Sequence, residues 1–420
     1  MAGWSSLPGD LINRIADRLL ATDDLDYYMD FRAVCRGWRS STADPKSSPR
    51  EPRFRPRQWA MLDEVHQSDA RLFVNAGTGR FVRRDLPLLR RYFVVAGAAG
   101  GMVVLAGRTA PHAARVLNPF TGAMVSFEAP VPSEVKVAAH VIGSSPTLVL
   151  LCEDSRTIYW ADPDSKSFMA HKEEHFAHPL IKLALEGGIY AAAQEDGSLE
   201  SLLFLEANKI LDLVAEPFAE YFAGGAEGQA RKNRCFLVES AGEMLIVFKL
   251  PHRVEVFRID TGTDLLERVM NLGSRALFIG DCRCLSVDAD KFASVEANCV
   301  YYVVEEPWYD VCVYSLKDET EVRAGGAIDS FNPITPSVDP PFSEVQLLCC
   351  YTFVVRYSQL GWNQMVLSGL ARIRFSRFEQ VVLAPMFSRF EQVVLAPGLV
   401  DELAGYFSES DDFSDIEHLM

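Results

Sequence analysis

Leu7-Pro8-Gly9-Asp10-Leu11-Ile12 opens the first structural unit of this chain and Val34-Cys35-Arg36-Gly37-Trp38-Arg39 closes it. The reading of these two runs decides the architecture. Pro8 suits the first turn of a helix, where no backbone N–H is needed. Leu11, Ile12, Ile15, Leu19 and Leu20 then recur at helical spacing, with Asn13, Arg14, Asp17 and Arg18 on the other side. Thr22, Asp23 and Asp24 stop that helix and offer caps for the next. Leu25 to Met29 reads as a short second helix. Phe31, Val34, Cys35 and Trp38 give a third apolar stripe, ending near Ser40-Ser41-Thr42. Three helices this short bury little core alone, so the unit is marginal by itself and firm only when docked.

These residues resemble an F-box. That family opens on Leu-Pro, continues as an amphipathic helix and closes on Val-Cys-x-x-Trp-Arg. The elements stand here at Leu7, Pro8, Leu11, Ile12, Ile15, Leu19, Val34, Cys35, Trp38 and Arg39. The resemblance implies that Leu7, Pro8, Leu11, Ile12, Ile15, Val34, Cys35 and Trp38 bind a Skp-type adaptor, and through it a cullin-based ubiquitin ligase. One departure is Tyr27-Tyr28-Met29-Asp30, which stands where many F-boxes have a Leu- and Arg-rich turn. The bland alternative is a plain helical hairpin that caps the following domain.

Length and composition set the frame around this unit. A chain of 420 residues, 49% hydrophobic, is globular in bulk and long enough for two or three domains. Its net charge of -16 argues against a general nucleic-acid binder, which needs basic surface to displace counterions. Nine cysteines without a secretory signal read as a reduced chain of the cytoplasm or nucleus. The longest apolar run, Tyr92 to Gly107, is shorter than the roughly 20 residues of a spanning helix and is broken by glycines. Two strands and a turn explain it better, and no membrane partner is expected.

Residues 45–58 read as a linker. Pro45, Pro49, Pro52 and Pro56 favour extended geometry, and Arg50, Arg53, Arg55 and Arg57 make it basic. A solvated, self-repelling tether is the plain reading; contact with an acidic partner is the sharper one. From Trp59 the pattern changes to short strands and turns. Phe73 to Val82, Arg115 to Gly122, Ile158 to Ser165, Gln194 to Ser198, Phe257 to Thr263 and Val311 to Asp318 each lead alternating or β-branched residues into a polar turn. The turns recur on the order of every 35 to 65 residues, the size of a propeller blade. A β-sandwich, the rival, needs fewer strands than this length supplies.

The same stretch carries a second resemblance. Leu86-Pro87-Leu88-Leu89, Arg115-Val116-Leu117-Asn118-Pro119-Phe120-Thr121-Gly122, Cys284-Leu285-Ser286-Val287 with Asp290-Lys291-Phe292, and Ala297-Asn298-Cys299-Val300-Tyr301-Tyr302 are similar to plant F-box proteins whose C-terminal domain is a KIB-type propeller. The likeness runs to about residue 318. The expected order is an F-box over 1–44, the linker over 45–58, an all-β propeller over 59–400 and an acidic tail over 401–420. Phe375 to Pro385 recurs word for word at Phe387 to Pro397, a copy with no blade-sized period. It reads as a recent duplication or a gene-model artefact.

Candidate chemistry is sparse. His171-Lys172-Glu173-Glu174-His175, with His178 nearby, matches the H-x-x-E-H string of a zinc protease, which requires a long buried helix. A turn precedes this string and Pro179 follows it, so an exposed loop between blades is the expected home. Cys282-x-Cys284 is closer spaced than a zinc knuckle and reads as core packing on a strand. Gly97-Ala98-Ala99-Gly100-Gly101 lacks the helix and the Lys-Ser/Thr pair of a phosphate loop and reads as a tight turn. No catalytic residue, cofactor or metal is therefore assigned. The expected function is the substrate-recognition subunit of a Skp–cullin–F-box ubiquitin ligase, binding a protein substrate of unknown identity. The alternatives are a propeller hydrolase or lyase with a helical cap, and a decayed receptor whose C-terminus no longer closes the propeller.

Overall fold

The structure is a computed structural model that describes residues 7–22, 24–62, 69–134, 137–142, 146–152, 157–172, 181–185, 188–195, 198–206, 209–214, 234–250, 253–260, 265–280, 283–304, 310–324, 343–353 and 358–367. The duplicated segment and the acidic tail lie outside these residues. Among the described residues no helix is long and apolar enough to cross a membrane.

Three helices come first, α1 (Gly9–Leu20), α2 (Leu25–Ala33) and α3 (Arg36–Ser41). The second runs past the expected Met29 because its last turn has partners of its own. Phe31 packs on Trp38 with ring centroids 4.4 Å apart, and Arg32 Nη1 donates to the Thr42 carbonyl at 2.7 Å. Tyr28 Oη donates to the Ala43 carbonyl at 2.7 Å, so the chain leaving α3 is tied back to α2.

Strands then gather into six sheets among the described residues. The first is three-stranded, β1 (Trp59–Met61), β2 (Ala70–Asn75) and β3 (Phe81–Asp85). The next four are four-stranded antiparallel meanders. They comprise β4 (Tyr92–Gly97), β5 (Val103–Gly107), β6 (Ala113–Leu117) and β7 (Met124–Pro130); then β8 (Val137–Ile142), β9 (Thr147–Cys152), β10 (Thr157–Ala161) and β11 (Met169–Lys172). There follow β12 (Ile181–Leu185), β13 (Gly188–Glu195), β14 (Ser198–Glu206) and β15 (Lys209–Val214); then β16 (Arg234–Ser240), β17 (Glu243–Lys249), β18 (Val254–Asp260) and β19 (Leu265–Arg268). The last sheet has five strands, β20 (Arg275–Phe278), β21 (Leu285–Asp288), β22 (Cys299–Val304), β23 (Asp310–Ser315) and β24 (Thr320–Arg323), in the order β21-β20-β22-β23-β24.

Leading strands meet from sheet to sheet: β4 with β8, β8 with β12, β12 with β16, and β16 with β21. The five larger sheets are the blades of a β-propeller. The three-stranded sheet stands between the first and last of them. Ala60, Val74 and Ala76 share an apolar cluster with Ala276, Phe278 and Val287 of the last blade. Trp59, Met61 and Phe73 share another with Val103, Leu105 and Leu117 of the first.

Turn chemistry fixes the hairpins as the sequence predicts. Asn75 Oδ1 accepts from the Gly77 and Thr78 amides, both at 3.0 Å, between β2 and β3. Asn118 repeats the device after β6, accepting from Phe120 N at 3.1 Å and Thr121 N at 3.3 Å. Tyr92 to Gly107 is two strands and a turn, with Gly100 and Gly101 at φ 75° and 79°.

Two expectations change. Residues 45–58 are no free tether. Pro45, Phe54 and Pro56 are buried, Pro52–Phe54 forms a 3-10 turn, and Asn118 Nδ2 donates to the Phe54 carbonyl at 2.7 Å. Prolines that read as spacer also remove N–H groups that a docked strap would otherwise bury unpaired. The span expected to be all-β also holds two helices, α4 (Glu344–Phe353) and α5 (Gln359–Leu367). Ser343 and Gln346 make a reciprocal cap, Oγ accepting from Gln346 N at 3.2 Å and Oε1 from Ser343 N at 2.9 Å. Val345, Leu348 and Cys349, at helical spacing, then bury against β1 and the last blade.

Candidate adaptor-docking face

Helix α1 carries two apolar stripes. Ile12 and Ala16 point inward; Ile12 is only 3% exposed and lies in one cluster with Tyr28, Phe31 and Trp38. Leu7, Leu11, Ile15 and Leu19 form the other stripe and line a shallow surface groove together with Arg14 and Arg18. Leu11 is 43% exposed and Ile15 37%, although both are large aliphatic side chains. Val34, between α2 and α3, is 62% exposed. Four of the seven exposed large hydrophobics among the described residues, Leu11, Ile15, Tyr27 and Val34, fall in this small unit. An apolar stripe left outward on a helix whose core stripe is already filled is what a docking helix presents.

The predicted binding residues therefore divide. Leu7, Pro8, Leu11, Ile15 and Val34 present surface. Pro8 starts α1, its carbonyl accepting from Leu11 N at 3.0 Å and Ile12 N at 3.1 Å. Cys35 is half-buried and caps α3, its Sγ accepting from Trp38 N at 3.4 Å. Ile12 and Trp38 are buried and offer no surface; they hold the helices that display the others. Adjacent residues on a helix stand about 100° apart, so Leu11 faces outward while Ile12 turns into the core.

Sequence reasoning missed what holds this face in place. Asp24 is the N-cap residue of α2, yet its side chain makes no cap bond. It is 0% exposed, and Arg80 Nη2 reaches both Asp24 Oδ1 and Asp26 Oδ2 at 2.8 Å. Arg84, on β3, pairs with Asp26 as well. Burial pulls the Arg84 pKa down, and the Asp24 charge opposes that pull. The Arg80 guanidinium also lies over the rings of Tyr27, 4.2 Å from the centroid, and Trp59 at 5.3 Å. Two acids of the helical unit are thus paired with Arg84 of β3 and with Arg80, the residue just before that strand. No local signature marks a pairing more than fifty positions apart, and Asp24 read as an ordinary cap.

Beneath the ion pairs the apolar contact is continuous. Ile12, Leu25, Tyr28, Phe31 and Trp38 share a cluster with Phe54, Trp59, Phe73, Leu86, Leu89 and Phe120. Each fully buried side chain of this size contributes about 1.5–3 kcal/mol relative to exposure. The helical unit finds in the propeller the partner surface that its size requires.

The other candidate sites assemble less. His171 lies on β11, paired with Ile158 of β10, so it is a strand residue, neither on the expected loop between blades nor on the helix a zinc protease needs. Glu174, His175 and His178 lie outside the described residues. Among the described residues no group of three His, Cys, Asp or Glu is placed to hold a metal. Cys284 is half-buried against the core of the last two blades; Cys282 lies outside the described residues.

Comparison with known proteins agrees with this layout. Two F-box proteins of Arabidopsis thaliana match over short spans. One is 44% identical over 63 residues, 15% of this chain and 16% of that protein. The other is 48% identical over 44 residues, 10% of this chain and 12% of that protein. The matched spans are thus a small part of these relatives' lengths. Among solved structures, TolB from Acinetobacter baumannii aligns over 64% of each chain at 10% identity and a TM-score of 0.33. BamB from Moraxella catarrhalis aligns over 64% of this chain and 78% of its own, at 12% identity and a TM-score of 0.30. Scores this low carry no argument. The model of the KIB1-4 beta-propeller family matches residues 73–315, from β2 to the end of β23 and more than half of the chain, and the chain belongs to that family.

Proposed function

We propose that the chain is the substrate-recognition subunit of a Skp–cullin–F-box ubiquitin ligase of the cytoplasm or nucleus. The helical unit docks a Skp-type adaptor, and the propeller holds a protein substrate. The observation that carries this reading is the outward stripe Leu7, Leu11 and Ile15 on a helix whose inward stripe is already buried, fused to a KIB1-4 propeller. The F-box relatives support it. On this reading the chain contributes proximity and orientation, and acid–base groups belong to the partner enzyme.

The test is binding of purified Skp-type adaptor to the full chain. Leu11→Asp with Ile15→Asp places two charges in the apolar stripe and touches no core residue. Loss of one interface hot spot costs about 2 kcal/mol or more, so at least a thirtyfold weaker Kd is expected, with an unchanged melting temperature. Undiminished adaptor binding by a folded double variant rejects the docking face.

A further inference from the structure

The first sheet and the first blade are basic in an acidic chain. From β2 to the end of β7, residues 70–130, eight arginines and no lysine stand against Asp85 and Glu128, whereas the whole chain has 41 basic and 57 acidic residues. Three of the eight are engaged elsewhere: Arg71 is buried, and Arg80 and Arg84 close on Asp24 and Asp26. Four of the other five gather at one end of the first blade. Arg90 and Arg91 finish the 3-10 turn Pro87–Arg91 that leads into β4. Arg108 follows β5, and its Nε donates to the Arg90 carbonyl at 3.0 Å. The Arg108 guanidinium lies over the Phe93 ring, 4.9 Å from the centroid. Arg115 of β6 reaches the same end, its guanidinium 5.6 Å from the Tyr92 centroid and its Nη1 donating to Ser126 Oγ at 2.7 Å.

Tyr92 and Phe93 are successive strand residues and face opposite sides of the sheet, so the two ring-backed guanidiniums straddle the blade. Arg90 pairs with Asp69 and its side chain is still 77% exposed. Arg91 and Arg108 are exposed as well, and among the described residues no carboxylate pairs with Arg91, Arg108 or Arg115. A long side chain normally loses entropy when a partner fixes it. Here the rings and the Arg90 carbonyl already hold two of the four. A planar guanidinium also takes a carboxylate through two parallel hydrogen bonds, which lysine cannot do. The strap lies at the other end of the same blade, with Pro56 against Gly100 after β4 and Phe54 held by Asn118 after β6. The six residues of β4 separate the two ends by about 20 Å, so the arginines are clear of the strap. The rest of the chain is net acidic, so a long polyanion such as nucleic acid would meet repulsion beyond this patch. A short acidic run would not.

We infer that this end of the first blade binds an acidic segment of a protein partner, an extended run of about four residues, ~13 Å long, whose Asp and Glu carboxylates are taken by Arg90, Arg91, Arg108 and Arg115. On the proposed function that partner is the substrate, and the first blade is where it is recognised. The identity of the partner as a substrate rests on that reading; the binding of acidic peptide does not.

The probe is a fluorescent decapeptide of alternating Glu and Gly, titrated with the full chain and read by anisotropy. Binding is expected to weaken as salt rises from about 50 to 200 mM, and the matching Gln peptide should not bind. Arg91→Glu with Arg108→Glu should weaken the Glu peptide about tenfold or more, since like charges then face each other. Arg91→Gln with Arg108→Gln gives the same reading, with a smaller loss, if the charge reversal does not fold. Lys291→Glu with Lys317→Glu changes the net charge equally on the last blade and should leave the peptide affinity within about twofold. Affinity unchanged in both folded arginine variants overturns the inference, and so does an equal loss in the lysine variant. A phosphoserine decapeptide or an oligonucleotide that binds about tenfold tighter than the Glu peptide overturns the assignment to carboxylates. A tenfold gain in peptide affinity on removal of residues 401–420 means that the chain's own acidic tail is the occupant and overturns the assignment to a partner. Adaptor affinity should be the same in the arginine variants as in the wild type. Loss of peptide with adaptor retained supports the inference, whereas peptide bound by a chain that takes no adaptor sinks only the ligase reading.

Discussion

Replacing Arg80 with alanine tests whether the helical unit and the propeller are one body. Arg80 Nη2 is the ion-pair partner of Asp24, which is 0% exposed, and it shares Asp26 with Arg84. Truncation leaves the Asp24 carboxylate buried with no described ion-pair partner. Removing one member of a buried pair costs about 3–5 kcal/mol, because the remaining charge has lost both water and its counter-ion. Loss of the guanidinium from the Tyr27 and Trp59 rings adds about 0.5–1 kcal/mol. Arg84 remains close enough to moderate the loss, so about 3 kcal/mol is expected. The assay is urea unfolding, read as a lower midpoint at unchanged slope. Asp24→Asn combined with Arg80→Ala should be more stable than Arg80→Ala alone, since the stranded charge is then gone. A loss below about 0.5 kcal/mol for Arg80→Ala, the scale of an ordinary surface change, would refute the reasoning.

Two further outcomes are expected. Gly100→Ala places a Cβ 2.1 Å from the Pro56 carbonyl at φ 75°, whereas Gly242→Ala meets nothing within 4 Å at φ 86°. The second should cost about 1–2 kcal/mol for the left-handed backbone alone and the first clearly more, as thermal melts of the two variants will show. Stability should also fall at alkaline pH. Burial pushes the Cys299 and Cys312 thiols up to about 11 and the Tyr301 phenol up to about 12, all three in β22 and β23. Raised folded-state values mean that the unfolded chain releases these protons first. Their contribution is therefore complete below about pH 9 and is lost as pH rises through about 11 and 12. Urea midpoints between pH 7 and 10.5 should decline, and Cys312→Ala should flatten the decline; a flat wild-type profile contradicts the assignment.

What the sequence disclosed depended on the range of the interaction. Helix period and the two end motifs placed α1 to α3, and Asn-led turns such as those at Asn75 and Asn118 placed the hairpins, because each is settled within a few residues. Facing was not settled. Leu11 and Ile12 are adjacent and equally apolar, and only the packing of Ile12 on Trp38 and its neighbours shows which of them is left for a partner. The linker misled because its prolines and arginines fit a solvated spacer as well as a docked strap. The burial of Phe54 and its bond from Asn118 distinguish the two, and neither is local. The Ser343–Gln346 cap was a readable signal for α4 in a region where the family likeness had faded.

The docked strap changes how a receptor of this design would work. A free spacer between adaptor and propeller would let the substrate face wander, and proximity would depend on the distribution of linker lengths. Here Phe54 and Pro56 are buried, Asn118 holds the Phe54 carbonyl, and Arg80 and Arg84 close on Asp24 and Asp26. Direction is then set by residues and not by spacer length. On the proposed function, a partner seated on Leu11 and Ile15 has a fixed orientation to the first blade, so lysines of a bound substrate are offered over a narrow zone. A rigid arrangement of that kind favours transfer by placement, since orientation is fixed before the reacting groups meet. It also means that substitutions at Arg80 or Phe54, far from the docking stripe and from any substrate, should alter which substrate lysines are within reach while leaving adaptor affinity unchanged.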